Sequence, residues 1–411
     1  MAETTTAPPG AGPDLADIDL MDMAMFAAGE DGAAFRVLRD RAPLFWNDEP
    51  GDGPGFWSVT RYADVDAVAK NAAVFSSADG TQIQSRRAEG KAHSMHNMDD
   101  PRHLLLRRIT IGSFTAKRVE NWRDRVREVT TALLDEAVER GQFDFVELVS
   151  ERLPLLIFAT MLGVPREDAP LLLRWTNMIA SEDPDHAPDP DSLAKARTEL
   201  FDYFHGLAAE RRKEPRDDLV SLLVHAEVEG QRLRPDELDP YFLLLTVAGN
   251  ETTRNLLSGS VAILSQTGQW NRLAADPALL TPGMEEMLRW VSPVINMRRT
   301  ALVDTELHGR RIRAGEKVVL WFSSANRDER VFDEPDTFRL DRTPNRHLAF
   351  GSGAHFCLGA HLARLEIRTF YQELHARGIR FELAAEPVRL LSNWFRGIKS
   401  MPVETRRAGT S

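Results

Sequence analysis

The run Phe350-Gly351-Ser352-Gly353-Ala354-His355-Phe356-Cys357-Leu358-Gly359 holds the only cysteine of this 411-residue chain. Glycines at 351, 353 and 359 crowd the thiol, and glycine lets a backbone turn tightly and approach a flat ligand closely. A helical pattern starts at the cysteine, with Leu358, Leu362, Leu365 and Ile367 on an apolar face and Arg364 and Glu366 off it. A thiolate at a helix N-terminus gains from the dipole and from free N–H groups. A soft sulfur ligand held that way suits iron, including haem iron. Taken alone, a lone cysteine reads as a small buried hydrophobe. The surrounding pattern is what turns it into a candidate ligand.

The pattern Phe-Gly-x-Gly-x-His-x-Cys-x-Gly resembles the haem-binding loop of the cytochrome P450 family. The resemblance implies a haem b cofactor and the P450 fold, mainly α with small β-sheets. It makes Cys357 the axial metal ligand, places His355 near a haem propionate and packs Phe350 under the macrocycle. Gly351 and Gly359 complete the cofactor-binding loop.

A second motif lies in the apolar run over residues 242–264, broken by Ala248-Gly249-Asn250-Glu251-Thr252-Thr253. Burying a carboxylate is costly, and Gly and Thr are weak helix formers. One reading ends a helix at Gly249 and starts another at Asn250 or Thr252. The other keeps one helix, with Gly249 making room for a ligand that Thr252 hydrogen-bonds after a local disruption of the ladder. The six residues resemble the oxygen-activation segment of the P450 family. By that resemblance Ala248 and Gly249 flank the oxygen pocket, and Glu251 and Thr252 are catalytic, relaying and delivering protons. Heterolytic O–O cleavage needs those protons, while the thiolate pushes electron density from the other side.

Haem propionates need cationic donors. His103 and Arg107 lie four apart on one predicted helix face, and resemble the family's His-x-x-x-Arg propionate site. Arg299 matches a further propionate arginine, with its neighbour Arg298 as the alternative. Glu286 and Arg289 form an i,i+3 pair that resembles the family's structural Glu-x-x-Arg. The usual third member is replaced by Thr337 in Pro335-Asp336-Thr337-Phe338, which leaves Arg339 or Arg342 to substitute.

Composition adds exclusions. The net charge of −11, from 51 basic and 62 acidic residues, argues against general nucleic-acid binding. One cysteine allows no intrachain disulfide, which fits a reducing compartment. No segment reaches the ~18 apolar residues needed to span a bilayer, and the first residues lack a signal-peptide pattern. The expectation is a cytoplasmic enzyme without a membrane anchor, with a disordered tail over residues 1–14 and one catalytic domain over 15–405. Short strands are predicted at 44–46 and 56–60, 304–320 and 381–403, with helices over 33–41, 62–70, 119–140, 145–162, 167–179 and 193–213. Loops are expected over 80–97 and, as a mobile acidic and proline-rich lid, over 181–192.

The predicted substrate pocket draws on those two loops, on Leu244 and Leu245, on Val294, Ile295 and Asn296, and on Trp394 and Phe395. Most of these are apolar, so the substrate is expected to be apolar. The strings over 246–255 and 397–403 resemble those of actinobacterial P450s that oxidise sterol side chains and branched lipids. That favours a sterol, terpenoid or fatty-acyl substrate. The alternative is a biosynthetic hydroxylase acting on an amino acid bound to a carrier protein or on a polyketide-like intermediate. A peroxygenase or a haem sensor would not need Glu251 and Thr252. With no flavin, nicotinamide or ferredoxin fingerprint in the chain, electrons are expected from a ferredoxin and its reductase. They would dock on the cysteine side near Arg108, Lys117, Arg118 and Arg364.

Overall fold

The helix Pro235–Gln266 runs unbroken for 32 residues and is the axis of the molecule. This computed structural model describes residues 12–84, 94–180 and 190–407. The tail expected over residues 1–14 and the lid over 181–192 fall mostly outside them, as does the middle of the loop over 80–97. Pro235 starts the axial helix, where its missing N–H costs nothing, and Glu237 caps it by accepting from the Arg234 N–H at 3.1 Å. Arg152–Leu162, Ala169–Ala180, Pro190–Lys213 and Leu280–Val291 pack around this axis. Their buried residues form one large apolar cluster. The helix Ala360–Arg377, which follows the cysteine loop, lies against Arg123–Arg140 and Leu280–Val291.

The β structure is smaller and sits to one side. A five-stranded sheet has the order Leu44–Asn47, Phe56–Val59, Lys317–Trp321, Asn296–Ala301, Phe75–Ser76. Lys317–Trp321 is its buried centre, parallel to Phe56–Val59 and antiparallel to Asn296–Ala301. Ile379–Leu383, Pro402–Arg407 and Gln142–Asp144 make a second sheet of three strands. The mainly α fold with small sheets read from the sequence is thus the fold observed.

Two helical runs depart from expectation. The segment 119–140 is divided into Ala116–Glu120 and Arg123–Arg140, because the Asn121 N–H turns back to the Arg118 and Val119 carbonyls. The segment 145–162 opens as a wide turn over Val146–Ser150 before Arg152–Leu162. Pro154, which has no N–H to donate, sits in the first turn of that second helix, where none is required.

Candidate active site

The cysteine loop is closed by its own backbone: the Cys357 N–H donates to the Phe350 carbonyl at 2.9 Å. Gly353 has φ +73°, and a Cβ there would meet the Ala69 carbonyl oxygen at 2.5 Å, so only glycine fits. Regular helix begins at Ala360, three residues after the thiol, rather than at the cysteine itself. Arg107 donates to the Phe356 carbonyl and ties the loop to the helix Arg102–Ile111. Burial pushes the Cys357 thiol up, while the Gly359 N–H, Arg107 and Arg364 favour the thiolate. Arg364 lies over the Phe350 ring, 4.5 Å from its centroid, and forms a two-point ion pair with Glu285. It is therefore a clamp on the loop rather than a free docking cation. Glu366, expected off the apolar face, is instead fully buried.

Beside the loop is a nitrogen-rich cluster. The rings of His103 and His355 are 4.2 Å apart. His103 donates from Nδ1 toward Asp100, 3.1 Å away. Arg299 is 5% exposed and donates only to its neighbour's carbonyl, with no carboxylate in ion-pair reach among the described residues. Burial lowers the Arg299 guanidinium to about 10, and Asp99 offsets this only in part. Arg298, the alternative, is spent on the backbone carbonyls of Asp79 and Gly80. Strand alternation sends the two arginines to opposite faces. His96 joins the cluster as well, a residue that sequence reading passed over because its loop has no periodicity. Burial together with Arg299 pushes the His96 imidazole down to about 4. Burial, Arg299 and the other histidines push His355 to about 3. A buried, unpaired guanidinium is expensive, so this donor set fits a group that brings its own anions. The two propionates of haem b would meet that requirement.

The axial helix presents Leu244, Ala248 and Thr252, each four apart and each at least partly exposed. The Thr252 hydroxyl donates to the Ala248 carbonyl at 3.2 Å, so the helix continues through the segment and the two-helix reading does not hold. Gly249 faces the other way, toward Phe158 on Arg152–Leu162; a Cβ there would lie 2.6 Å from that ring. Its missing side chain admits a neighbouring helix rather than a ligand. Glu251 is buried and paired: Oε2 lies 3.3 Å from an Arg254 nitrogen, and Oε1 accepts from Asn255 at 3.2 Å. Arg254 in turn meets Glu151 at 3.0 Å. Glu151 retains 14% side-chain exposure, which opens a charged path from the surface to Glu251.

Comparison with known proteins identifies the family. The family model for Cytochrome P450 matches residues 276–374. The chain is 42% identical over 406 residues to a methyl-branched lipid omega-hydroxylase of Mycobacterium tuberculosis, covering 95% of each chain. The chain belongs to the cytochrome P450 family. It is also 40% identical to a steroid C26-monooxygenase of Mycolicibacterium smegmatis, over 94% of this chain and 96% of that one. Among solved structures, a Mycobacterium marinum cytochrome P450 in complex with pseudoionone superposes with a TM-score of 0.88 at 35% identity. It covers 97% of this chain and 100% of that chain. The protein is thus a haem-thiolate monooxygenase. When bound, haem supplies the iron that activates oxygen; Cys357 would hold that iron, with His103, Arg299 and His355 facing the propionates.

The same P450 is braced behind the haem loop by a buried ion network. Glu286 and Arg289 are both fully buried and meet through two contacts of 2.7 Å. The third member is Arg342, whose Nε donates to Glu286 at 3.0 Å. Arg339 supplies only its backbone N–H, at 2.9 Å, and Asn345 adds a side-chain donor at 3.1 Å.

The predicted pocket residues divide in two. Leu244, Val294 and Trp394 are partly exposed and available to a substrate. Leu245 is buried in the main core, and Ile295 packs with Ile18, Leu20 and Trp321. Asn296 is fully buried and donates to the Asn393 carbonyl at 2.7 Å. Phe395 is 8% exposed and bridges Val294 through the backbone. These four are buried in the core and present little surface to a ligand. The sequence shows an apolar strip but not which of two adjacent residues turns outward.

Proposed function

We propose that this P450 hydroxylates an apolar, branched or polycyclic lipid of the sterol, terpenoid or fatty-acyl type. Supporting this is the pairing of full-length similarity to a lipid omega-hydroxylase and a steroid C26-monooxygenase with an apolar helix face, Leu244 and Ala248, leading to Thr252. An apolar wall orients such a molecule by shape, leaving the reacting C–H to be chosen by depth of entry.

Glu251 and Thr252 take the catalytic roles. Thr252 holds a hydroxyl at the cavity face, and Glu251 passes protons to it from the side of Arg254 and Glu151. Electrons come from a ferredoxin and its reductase, in the cytoplasm. Leu104, Arg108 and Ile111 form an exposed face of Arg102–Ile111, beside exposed Lys117, Arg118 and Phe356. A basic rim around apolar contacts suits a small acidic donor protein. Among the described residues, no helix is long and apolar enough to cross a membrane.

A second reading keeps the chemistry and changes the substrate. The chain also resembles, at 31% identity and TM-score 0.83, the P450 PksS of the Bacillus subtilis bacillaene polyketide synthase. Spectral titration separates the two. A low-to-high-spin shift with a sterol ketone, a terpenol or a methyl-branched fatty acid supports the lipid reading. A shift seen only with a loaded carrier protein replaces it with the biosynthetic one.

A further inference from the structure

We propose that His96 is a third imidazole of the haem-propionate site, binding a propionate carboxylate through Nε2 beside Arg299 and His355. The inference rests on the haem site described above and adds to it a residue that the motifs do not contain.

The position is built rather than incidental. His96 lies in the short turn Met95–Asn97. Met95 anchors that turn in the main core at 6% exposure, and the Thr81 hydroxyl donates to the Asn97 side chain at 3.1 Å. The imidazole Nδ1 is 3.0 Å from the Ser94 hydroxyl. Ser94 is itself buried, and its hydroxyl donates to the Pro240 carbonyl at 3.3 Å, at the start of the axial helix. With that hydrogen committed to Pro240, the Ser94 oxygen is an acceptor, so His96 carries a hydrogen on Nδ1. The ring orientation is thereby fixed from behind, as in the outer-shell bonds that orient functional histidines.

Nε2 is left without a hydrogen-bond partner among the described residues. It belongs to a cluster whose other members, Arg299, Arg107, His103 and His355, are all donors or cations. The acids nearby are already engaged: Asp99 accepts from the Ser76 hydroxyl and the Ser77 N–H, and Asp100 accepts from His103 and the Leu104 N–H. His103 and Arg299 are buried and His96, Arg107 and His355 partly so, and a cluster of this sign away from water is stabilised by an anion from outside the chain. An arriving carboxylate supplies the charge that allows Nε2 to take a proton from solvent and donate it in a charge-assisted bond. One guanidinium beside two carboxylates leaves acceptor oxygens over, which gives His96 and His355 separate roles around them.

The test uses the holoprotein. Haem release into excess apomyoglobin is followed for the parent, His96→Ala and His96→Gln, with the melting of each haem-free protein recorded alongside. The expected result is release about tenfold faster for His96→Ala, the scale of one charge-assisted bond, with His96→Gln close to the parent because its amide can still donate. Haem-free melting should be unchanged. Parental release rates in His96→Ala overturn the inference. So do equally fast release from the Ala and Gln variants, or release that follows a lowered melting temperature, since each would mean packing rather than donation. A parent protein that takes up no haem overturns the whole site, a result distinct from either.

Discussion

The ring of Phe158 occupies the space that a side chain at Gly249 would need, 2.6 Å from where a Cβ would stand. The axial helix therefore approaches Arg152–Leu162 more closely than any larger residue allows. Two effects oppose each other in Gly249→Ala. Alanine gains about 1 kcal/mol of helix propensity, while overpacking a filled core costs about 1–3 kcal/mol. The expected outcome is a net loss of stability in the parent background and a gain in a Phe158→Ala background. Denaturant melts of the four-protein cycle check it, and a gain in both backgrounds would refute the packing role.

Thr252 and Glu251 are adjacent in sequence but make separate connections. The Thr252 hydroxyl is partly exposed and bonds the Ala248 carbonyl, while Glu251 is held by Arg254 and Asn255, with Glu151 beyond Arg254. Thr252→Ala should leave consumption of reducing equivalents nearly intact, but divert it from product to hydrogen peroxide. Glu251→Gln should slow oxygen-dependent turnover itself, by roughly 10²-fold or more, the usual worth of a positioned acid. Full coupling in Thr252→Ala would exclude the hydroxyl from proton delivery.

The network around Glu286 makes a prediction about folding. One buried carboxylate faces two buried guanidinium groups, Arg289 and Arg342. Glu286→Gln leaves two cations without a counter-charge, and breaking such a buried pair costs about 3–5 kcal/mol. Arg342→Ala removes one cation, and with it the bonds to the Asp333, Glu334 and Thr337 carbonyls. Glu286 keeps Arg289, so the loss should be smaller. Yields of soluble, haem-loaded protein should rank parent, Arg342→Ala, Glu286→Gln; the reverse order of the two variants would contradict this account.

What the sequence revealed follows from how local each signal is. The cysteine loop, the Glu251-Thr252 pair and the His103–Arg107 face are short motifs whose spacing carries chemistry, and the fold brings the first and the last of them into contact. Arg342 was one of two arginines in reach of Glu286, more than fifty positions away in the chain, and only the turn before it decides between them. Leu244 and Leu245 are equally apolar neighbours, so their division into cavity and core depends on how the helix is rotated against Arg152–Leu162. His96 sits in an aperiodic segment, and only the fold shows it beside Arg299. Gly249 was read as space for a ligand because a glycine's neighbour across a helix interface leaves no trace in its own sequence.

Glu366 gives the chain a pH dependence. It is 1% exposed, its Oε1 has no partner among the described residues, and its one side-chain hydrogen bond is with Thr253, next to Thr252. Burial raises its carboxyl to about 8, against the opposing effect of Thr253. The folded protein therefore holds a proton that the unfolded chain gives up near pH 4.5. The resulting stability is fully present below that pH and is lost as pH rises through about 8, by up to about 1.4 kcal/mol per pH unit between the two values. Glu366→Gln keeps the shape and removes the titration. Its melting temperature should fall less than that of the parent between pH 6 and pH 9, and the two curves should diverge as pH rises. Parallel curves for parent and variant would show that Glu366 does not titrate in this window.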